Sequence, residues 1–123
     1  MRATILIVDD HAQLRALMRE IVTEASNLHV VGEAADGAEA MRLIQALRPA
    51  IVLLDLTMPG VSGLEVLQWI KMEHPETKVI IVTVHSEDAY RQAAEASGAN
   101  AFLLKKTLAT DLLPAIQRMC GCM

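Results

Sequence analysis

Four short apolar runs in this sequence end in residues that could do chemistry. The first run ends in Asp9 and Asp10, a later one in Asp55, and two further runs in Thr83 and Lys105. Carboxylates that converge repel one another, and two charges about 4 Å apart cost roughly 4 kcal/mol at an effective dielectric near 20. A hard divalent cation such as Mg²⁺, which prefers oxygen ligands, and the lysine ammonium would together neutralise three carboxylates. Such a site could take a phosphoryl group onto a carboxylate, because aspartate is a nucleophile in phosphoryl transfer.

Each of these residues also has a simpler explanation when it is taken alone. Asp9 or Asp10 could cap the amino terminus of the following helix. Asp55 could begin a loop, a threonine at a strand end is ordinary, and Lys105 could be solvated. The joint pattern is harder to explain in this way, because the predicted fold brings the ends of these strands together.

The predicted secondary structure explains why these residues should meet. Apolar residues occur alternately as short continuous runs and at helical spacing, which predicts five strands alternating with five helices. The predicted strands are Thr4–Val8, Leu28–Ala34, Ile51–Leu54, Val79–Val84 and Ala101–Leu104. Continuous apolar strands between amphipathic helices indicate an α/β fold, a doubly wound, flavodoxin-like parallel sheet flanked by helices. Ligands in such sheets bind at the carboxyl ends of the strands, where the polar groups converge.

The helix ends carry local signals. Asp36 is placed to cap the second helix, and the third helix should end near His74 and Pro75. Ser86 is the predicted amino-terminal cap of the fourth helix, and Gly98 is placed to end it.

Composition and charge exclude several function classes. The chain has 123 residues, enough for one domain over 1–123, and its formal net charge is −4. The longest basic cluster is Lys105-Lys106, and the chain has only three aromatic residues, which are scattered. Both observations argue against nucleic-acid binding. No apolar run approaches the roughly 20 residues that span a bilayer, so a cytoplasmic protein without membrane association is expected. An anionic flavin cofactor would need glycines in the loop after the first strand, but Asp9-Asp10-His11 stands there and would repel it. No histidine is predicted to bind a metal.

Four segments in order resemble a two-component response regulator receiver domain, the fold of chemotaxis regulators. They are Ile5–Val8 with Asp9-Asp10, Leu53–Gly60 with Gly63, Val79–Thr83, and Gly98–Lys105. The resemblance covers essentially the whole chain. The runs Val30–Ala34 and Leu103–Lys105 further resemble receivers attached to LuxR-type DNA-binding domains.

The resemblance implies a role for each matching residue. Asp55 would accept a phosphoryl group from a sensor histidine kinase or a phosphotransfer protein. Asp9, Asp10 and Asp55, with the backbone carbonyl of Thr57, would hold Mg²⁺, for which Mn²⁺ could substitute. Thr83 and Lys105 would contact the phosphoryl group.

Phe102 matches the switch aromatic of the family, which turns inward upon activation. The surface of the fourth helix, fifth strand and fifth helix would then change and control a partner protein, an output domain or homodimer formation. The protein would not be an enzyme beyond phosphoryl transfer and dephosphorylation at its own Asp55. Its output and its phosphoryl lifetime stay open at this point, as does its status as a stand-alone receiver or part of a longer regulator.

Two other functions compete with this one. A receiver-like binding module that no longer uses phosphate would not need the acidic, threonine and lysine positions, all of which are present. An aspartate-nucleophile phosphatase of the haloacid dehalogenase type usually has a second aspartate where Thr57 stands. This sequence also departs from the commonest receiver pattern. Val84 replaces a small residue, and Lys106 replaces a proline that usually follows a cis peptide bond.

Overall fold

A computed structural model of the protein describes residues 3–120. Within this range five parallel strands and five α-helices alternate along the chain, as predicted. The strands are β1 (Ala3–Val8), β2 (Leu28–Ala34), β3 (Ile51–Leu54), β4 (Lys78–Thr83) and β5 (Ala101–Leu104). The helices are α1 (Ala12–Thr23), α2 (Gly37–Leu47), α3 (Gly63–Glu73), α4 (Asp88–Ala96) and α5 (Leu108–Met119), and a 3₁₀ turn (Lys105–Thr107) precedes α5.

The strand order β2-β1-β3-β4-β5 confirms the doubly wound sheet. Each face of the sheet carries an aliphatic core. Helices α1 and α5 pack on one face over Ile5 and Ile7, and α2, α3 and α4 pack on the other over Leu6 and Val8. The strand order reverses between β1 and β3, which is where ligands bind in open α/β sheets.

Most helix ends agree with the local signals. The Asp36 side chain accepts a hydrogen bond from the Glu39 N–H, and Gly98 follows α4 with a φ of 99°. The predicted cap at Ser86 is wrong: Glu87 is the N-cap residue of α4, and its side chain makes no capping hydrogen bond. None of the helices in the described part of the chain is both long and apolar enough to cross a membrane.

Candidate functional site

The carboxyl ends of the two central strands bring Asp9 and Asp55 to neighbouring positions. The Asp55 N–H donates a hydrogen bond to the Val8 carbonyl at 3.1 Å, which continues the pairing of β1 with β3. On the other side of β1, the Asp9 N–H donates to the Ala34 carbonyl at 3.1 Å. The sheet itself therefore fixes where both aspartates leave the core.

Lys105 connects these two carboxylates. Its Nζ lies 2.8 Å from Asp9 Oδ2 and 3.1 Å from Asp55 Oδ2, and it donates a hydrogen bond to the latter atom. The contact with Asp9 is an ion pair. The side chain of Asp9 is fully buried, that of Asp55 is nearly so, and that of Lys105 is 10% exposed. Three of the predicted site residues thus meet directly, although β3 and β4 lie between β1 and β5.

The charges of this site influence each other strongly. Burial raises the pKa of the Asp55 carboxyl, and the negative charge of Asp9 adds to this, while Lys105 opposes it. Burial alone would lower the pKa of Lys105, but its contacts with Asp9 and Asp55 outweigh burial and raise that pKa. Both directions reflect a site with more negative charge than one lysine neutralises.

The carboxylate cluster fits a hard cation. Asp9, Asp10, His11 and Asp55 each offer a ligand atom, and these atoms lie within 4.8 Å of one another. Asp10 Oδ1 is buried and accepts no hydrogen bond, and Asp9 Oδ2 contacts the Lys105 ammonium, so each oxygen keeps a lone pair that could bind a cation. A donor set dominated by carboxylate oxygens is the chemistry that Mg²⁺ and Mn²⁺ prefer. The cluster could therefore hold a metal ion.

The capping role considered for the two aspartates is not seen. His11 is the N-cap residue of α1, and no side chain caps that helix. Asp9 Oδ1 instead accepts the His11 N–H at 2.8 Å. The His11 ring, for which no role was predicted, lies 3.3 Å from Asp9 Oδ1 and 3.2 Å from Asp10 Oδ1 through its Nδ1. The only sequence signal for this position was its place directly after the acidic pair.

A chain of hydrogen bonds connects the loop after β3 with the end of β4. The Thr57 N–H donates to Asp55 Oδ1 at 3.2 Å, and Thr57 Oγ1 lies 2.8 Å from His85 Nε2. The His85 N–H in turn donates to Oγ1 of the buried Thr83 at 3.2 Å. The His85 ring stacks on Tyr90 of α4, with centroids 4.3 Å apart and planes inclined by 17°.

The remaining predicted positions lie around this site. Phe102 is buried in β5, and the guanidinium carbon of Arg91 on α4 lies 4.7 Å from the centre of its ring. Val84 is 69% exposed. Every peptide bond in the described range is trans, including the one between Lys105 and Lys106.

Helix α3 begins in direct contact with the main chain of Asp55. A Cβ atom on Gly63 would lie 2.0 Å from the Asp55 carbonyl oxygen and 2.5 Å from Leu56 Cα. The Gly63 N–H donates to the Leu56 carbonyl at 2.8 Å, and Ser62 caps the helix in a reciprocal capping box with Glu65. Only glycine fits at this position, and it lets the start of α3 pack directly against the main chain of Asp55 and Leu56.

Comparison with known proteins gives a consistent result. A family model described as "Response regulator receiver domain" matches residues 5–117. The nitrate/nitrite response regulator protein NarL of Escherichia coli is 35% identical over 116 residues, covering 94% of this chain and 54% of NarL. The response regulator GacA of Pseudomonas viridiflava is 34% identical, covering 92% of this chain and 53% of GacA. The chain thus spans about half the length of these curated relatives.

Solved structures show the same similarity. The response regulator domain of Thermotoga maritima CheB superimposes with a TM-score of 0.91 at 28% identity, covering 100% of this chain and 99% of the other. A two-component response regulator of the LuxR family from Aurantimonas sp. SI85-9A1 has a TM-score of 0.92 at 34% identity, covering 98% of this chain and 87% of the other.

Proposed function

This chain belongs to the response regulator receiver domain family, and on that premise we propose that residues 1–123 form one receiver domain in which Asp55 accepts a phosphoryl group. The observation that carries the proposal is the contact of Lys105 Nζ with Asp9 at 2.8 Å and with Asp55 at 3.1 Å. This contact joins a nucleophile, a cation and a second carboxylate at the edge of the sheet where ligands bind.

The proposed reaction is transfer from a phosphohistidine of a sensor histidine kinase or a phosphotransfer protein. A carboxylate oxygen of Asp55 forms a bond to phosphorus while the P–N bond breaks. The electron pair of that bond stays on the imidazole nitrogen, which takes up a proton. The Lys105 ammonium and the Thr57 N–H already contact the Asp55 carboxylate, so both can orient it and stabilise negative charge on the oxygens near it.

The same cluster is the proposed site for Mg²⁺, for which Mn²⁺ could substitute. Asp9, Asp10 and Asp55, with the main-chain carbonyl of Thr57, would hold the ion. When bound, it supplies positive charge that offsets the carboxylates and the phosphoryl oxygens. The cluster of carboxylate oxygens within 4.8 Å of one another supports this assignment, as does the buried Asp10 Oδ1 that accepts no hydrogen bond.

The proposed switch couples the site to α4, β5 and α5. The Thr83 hydroxyl would donate a hydrogen bond to a phosphoryl oxygen. Its Oγ1 accepts the His85 N–H, so movement of the Thr83 side chain toward the phosphoryl group would alter that contact. That change would affect His85 and the Tyr90 ring stacked on it, and Phe102 would move with α4 because Arg91 lies over its ring.

The partners follow from this assignment. The protein would act in the cytoplasm and control a partner protein or an output domain of a longer regulator, with homodimer formation through α4, β5 and α5. The chain would not itself bind nucleic acid, in keeping with its net charge of −4.

Acetyl phosphate offers a direct test. With Mg²⁺ present, the protein should gain the mass of one phosphoryl group, measured on the intact protein, and Asp55→Asn should gain none. Asp36→Asn is the matched control, because it makes the same chemical change at a helix cap where asparagine serves equally well. Labelling of the Asp55→Asn variant would contradict the assignment of the acceptor. An unlabelled wild-type protein would favour a binding module that does not use phosphate.

A further inference from the structure

Arg15 of α1 holds the peptide group that joins the two neighbouring aspartates. Its Nη1 donates a hydrogen bond to the main-chain carbonyl of Asp9 at 2.6 Å, and its side chain is 19% exposed. This carbonyl belongs to the peptide plane between Asp9 and Asp10. Because that plane sets the direction of the Asp10 main chain, the Arg15 contact also sets how the two carboxylates stand to each other.

Glu33 in turn holds Arg15. Its two carboxylate oxygens are divided between two arginines of α1: Oε1 accepts from Arg15 Nε at 3.1 Å, and Oε2 accepts from Arg19 Nε at 2.6 Å. The hydrogen bond from Arg19 lowers the pKa of Glu33, partial burial opposes this, and the bond from Arg15 adds to the lowering. Glu33 is therefore ionised at neutral pH and keeps the guanidinium of Arg15 from turning away.

An irregularity of β2 points Glu33 toward α1. Ile5 pairs with Val30 but Leu6 pairs with Gly32, so one extra residue is inserted in β2. In a regular strand, side chains three residues apart face opposite sides of the sheet, which would separate Glu33 from Val30. The inserted residue places both on the side that α1 covers. Bulges commonly redirect a side chain beside a functional site.

From this arrangement we propose that Arg15 is a positioning residue for the Asp9–Asp10 pair, held in place by Glu33, and that cation binding and phosphorylation depend on it. The inference rests on the proposed function. Arg15 contacts a main-chain oxygen and leaves the carboxylate oxygens free, so it orients the ligands of the cation without competing for them. Removal of such an outer contact typically weakens metal affinity or activity by about 10- to 100-fold.

Two variants remove this support at different points. Arg15→Gln removes the hydrogen bond to the Asp9 carbonyl, and Glu33→Gln keeps the shape of the side chain but removes the charge that holds Arg15. Arg15→Lys keeps a hydrogen-bond donor but cannot contact the Asp9 carbonyl and Glu33 with two separate nitrogens, so its Mg²⁺ affinity should be intermediate. Arg42→Gln is the matched control, because Arg42 lies on α2, is 69% exposed and pairs at 3.8 Å with Glu39.

The test combines calorimetric titration with Mg²⁺ and the rate of labelling by acetyl phosphate at increasing Mg²⁺ concentration. We expect Arg15→Gln to raise the dissociation constant of Mg²⁺ by about 10-fold or more. Glu33→Gln should raise it less, and Arg42→Gln should leave it unchanged. The labelling rate should shift to higher Mg²⁺ concentration in the same order. A purely structural role would lower the melting temperature without this graded change in Mg²⁺ affinity.

Several results would overturn the inference. Wild-type Mg²⁺ affinity in a folded Arg15→Gln variant would do so, and if that variant does not fold, wild-type affinity in Glu33→Gln would do so instead. A wild-type protein that binds Mg²⁺ but is never labelled would contradict the proposed function, while the role of Arg15 would still be decided by the binding data. A wild-type protein without any Mg²⁺ affinity would overturn both.

Discussion

Replacing Asp55 by asparagine should stabilise the protein when no divalent cation is present. One oxygen each from Asp9, Asp10 and Asp55 lies within 4.8 Å of the others, and Lys105 is the ammonium that contacts this cluster. Asparagine keeps the size of the side chain and removes one of three converging negative charges. The change therefore isolates the electrostatic cost of Asp55 in the folded protein.

The size of the effect follows from the distances. At an effective dielectric of 20, the attraction between Asp55 and Lys105 across 3.1 Å is about 5 kcal/mol. The oxygens of Asp9 and Asp10 lie no more than 4.8 Å away, so their repulsion is at least about 3.5 kcal/mol each, or about 7 kcal/mol together. Repulsion exceeds attraction by about 2 kcal/mol, and burial of the carboxylate adds to the penalty, as the raised pKa of Asp55 indicates. Allowing for exchange of solvent and side-chain relaxation, we expect a gain of about 1–2 kcal/mol in the free energy of unfolding.

Urea unfolding in a chelating buffer measures this difference, and Asp36→Asn serves as the control with a change below about 0.5 kcal/mol. Addition of Mg²⁺ should reverse the order. The wild-type protein gains stability by binding the ion, and the variant, which lacks one ligand, gains less. A loss of more than about 1 kcal/mol in Asp55→Asn without Mg²⁺ would mean that the Lys105 ion pair dominates, and would refute the reasoning.

Two further positions test the support of the site at Gly63 and the connection between β4 and β5 at Asn100. Gly63→Ala should cost about 1–3 kcal/mol and slow labelling of Asp55, because its Cβ would overlap the Asp55 carbonyl. Gly60→Ala, where the added atom meets nothing within 4 Å and only the φ of 76° is unfavourable, should cost about 1–2 kcal/mol and leave labelling unchanged. Asn100→Ala should cost about 1–3 kcal/mol in urea unfolding, because Oδ1 of Asn100 accepts the Val79 N–H at 2.8 Å. Asn100→Asp keeps this acceptor and should cost less; equal losses in the two Asn100 variants would contradict this account.

The elements of the fold were readable from the sequence because they depend on short-range pattern. Three strands, Leu28–Ala34, Ile51–Leu54 and Ala101–Leu104, have the predicted bounds. The first strand begins one residue earlier than predicted, and the fourth is shifted by one residue at both ends. A strand buried on both faces must be apolar throughout, which makes its limits visible in the sequence. The convergence of Asp9, Asp55 and Lys105 was predictable for a related reason, since parallel strands end at the same edge.

The start of α4 depends on contacts between distant segments and was not predictable. Ser86 has the local character of a cap, but α4 begins one residue later than expected, at Asp88. His85 is bound to Thr57 and stacked on Tyr90 in the segment that leads into this helix. Residue preferences near Ser86 contain no information about Thr57, the partner of His85, which lies 28 positions from it in the sequence. Tertiary contacts therefore determine where the helix starts.

Lys105 and Arg15 contact the acidic cluster in different ways. Lys105 faces the carboxylates and must share them with any bound ion. Arg15 contacts the main-chain carbonyl of Asp9 and so does not occupy the carboxylate oxygens, and the buried Asp10 Oδ1 accepts no hydrogen bond. A buried oxygen without a hydrogen bond destabilises a fold. Its presence in a carboxylate cluster at the edge of the sheet where the strand order reverses is therefore better explained by a ligand than by stability.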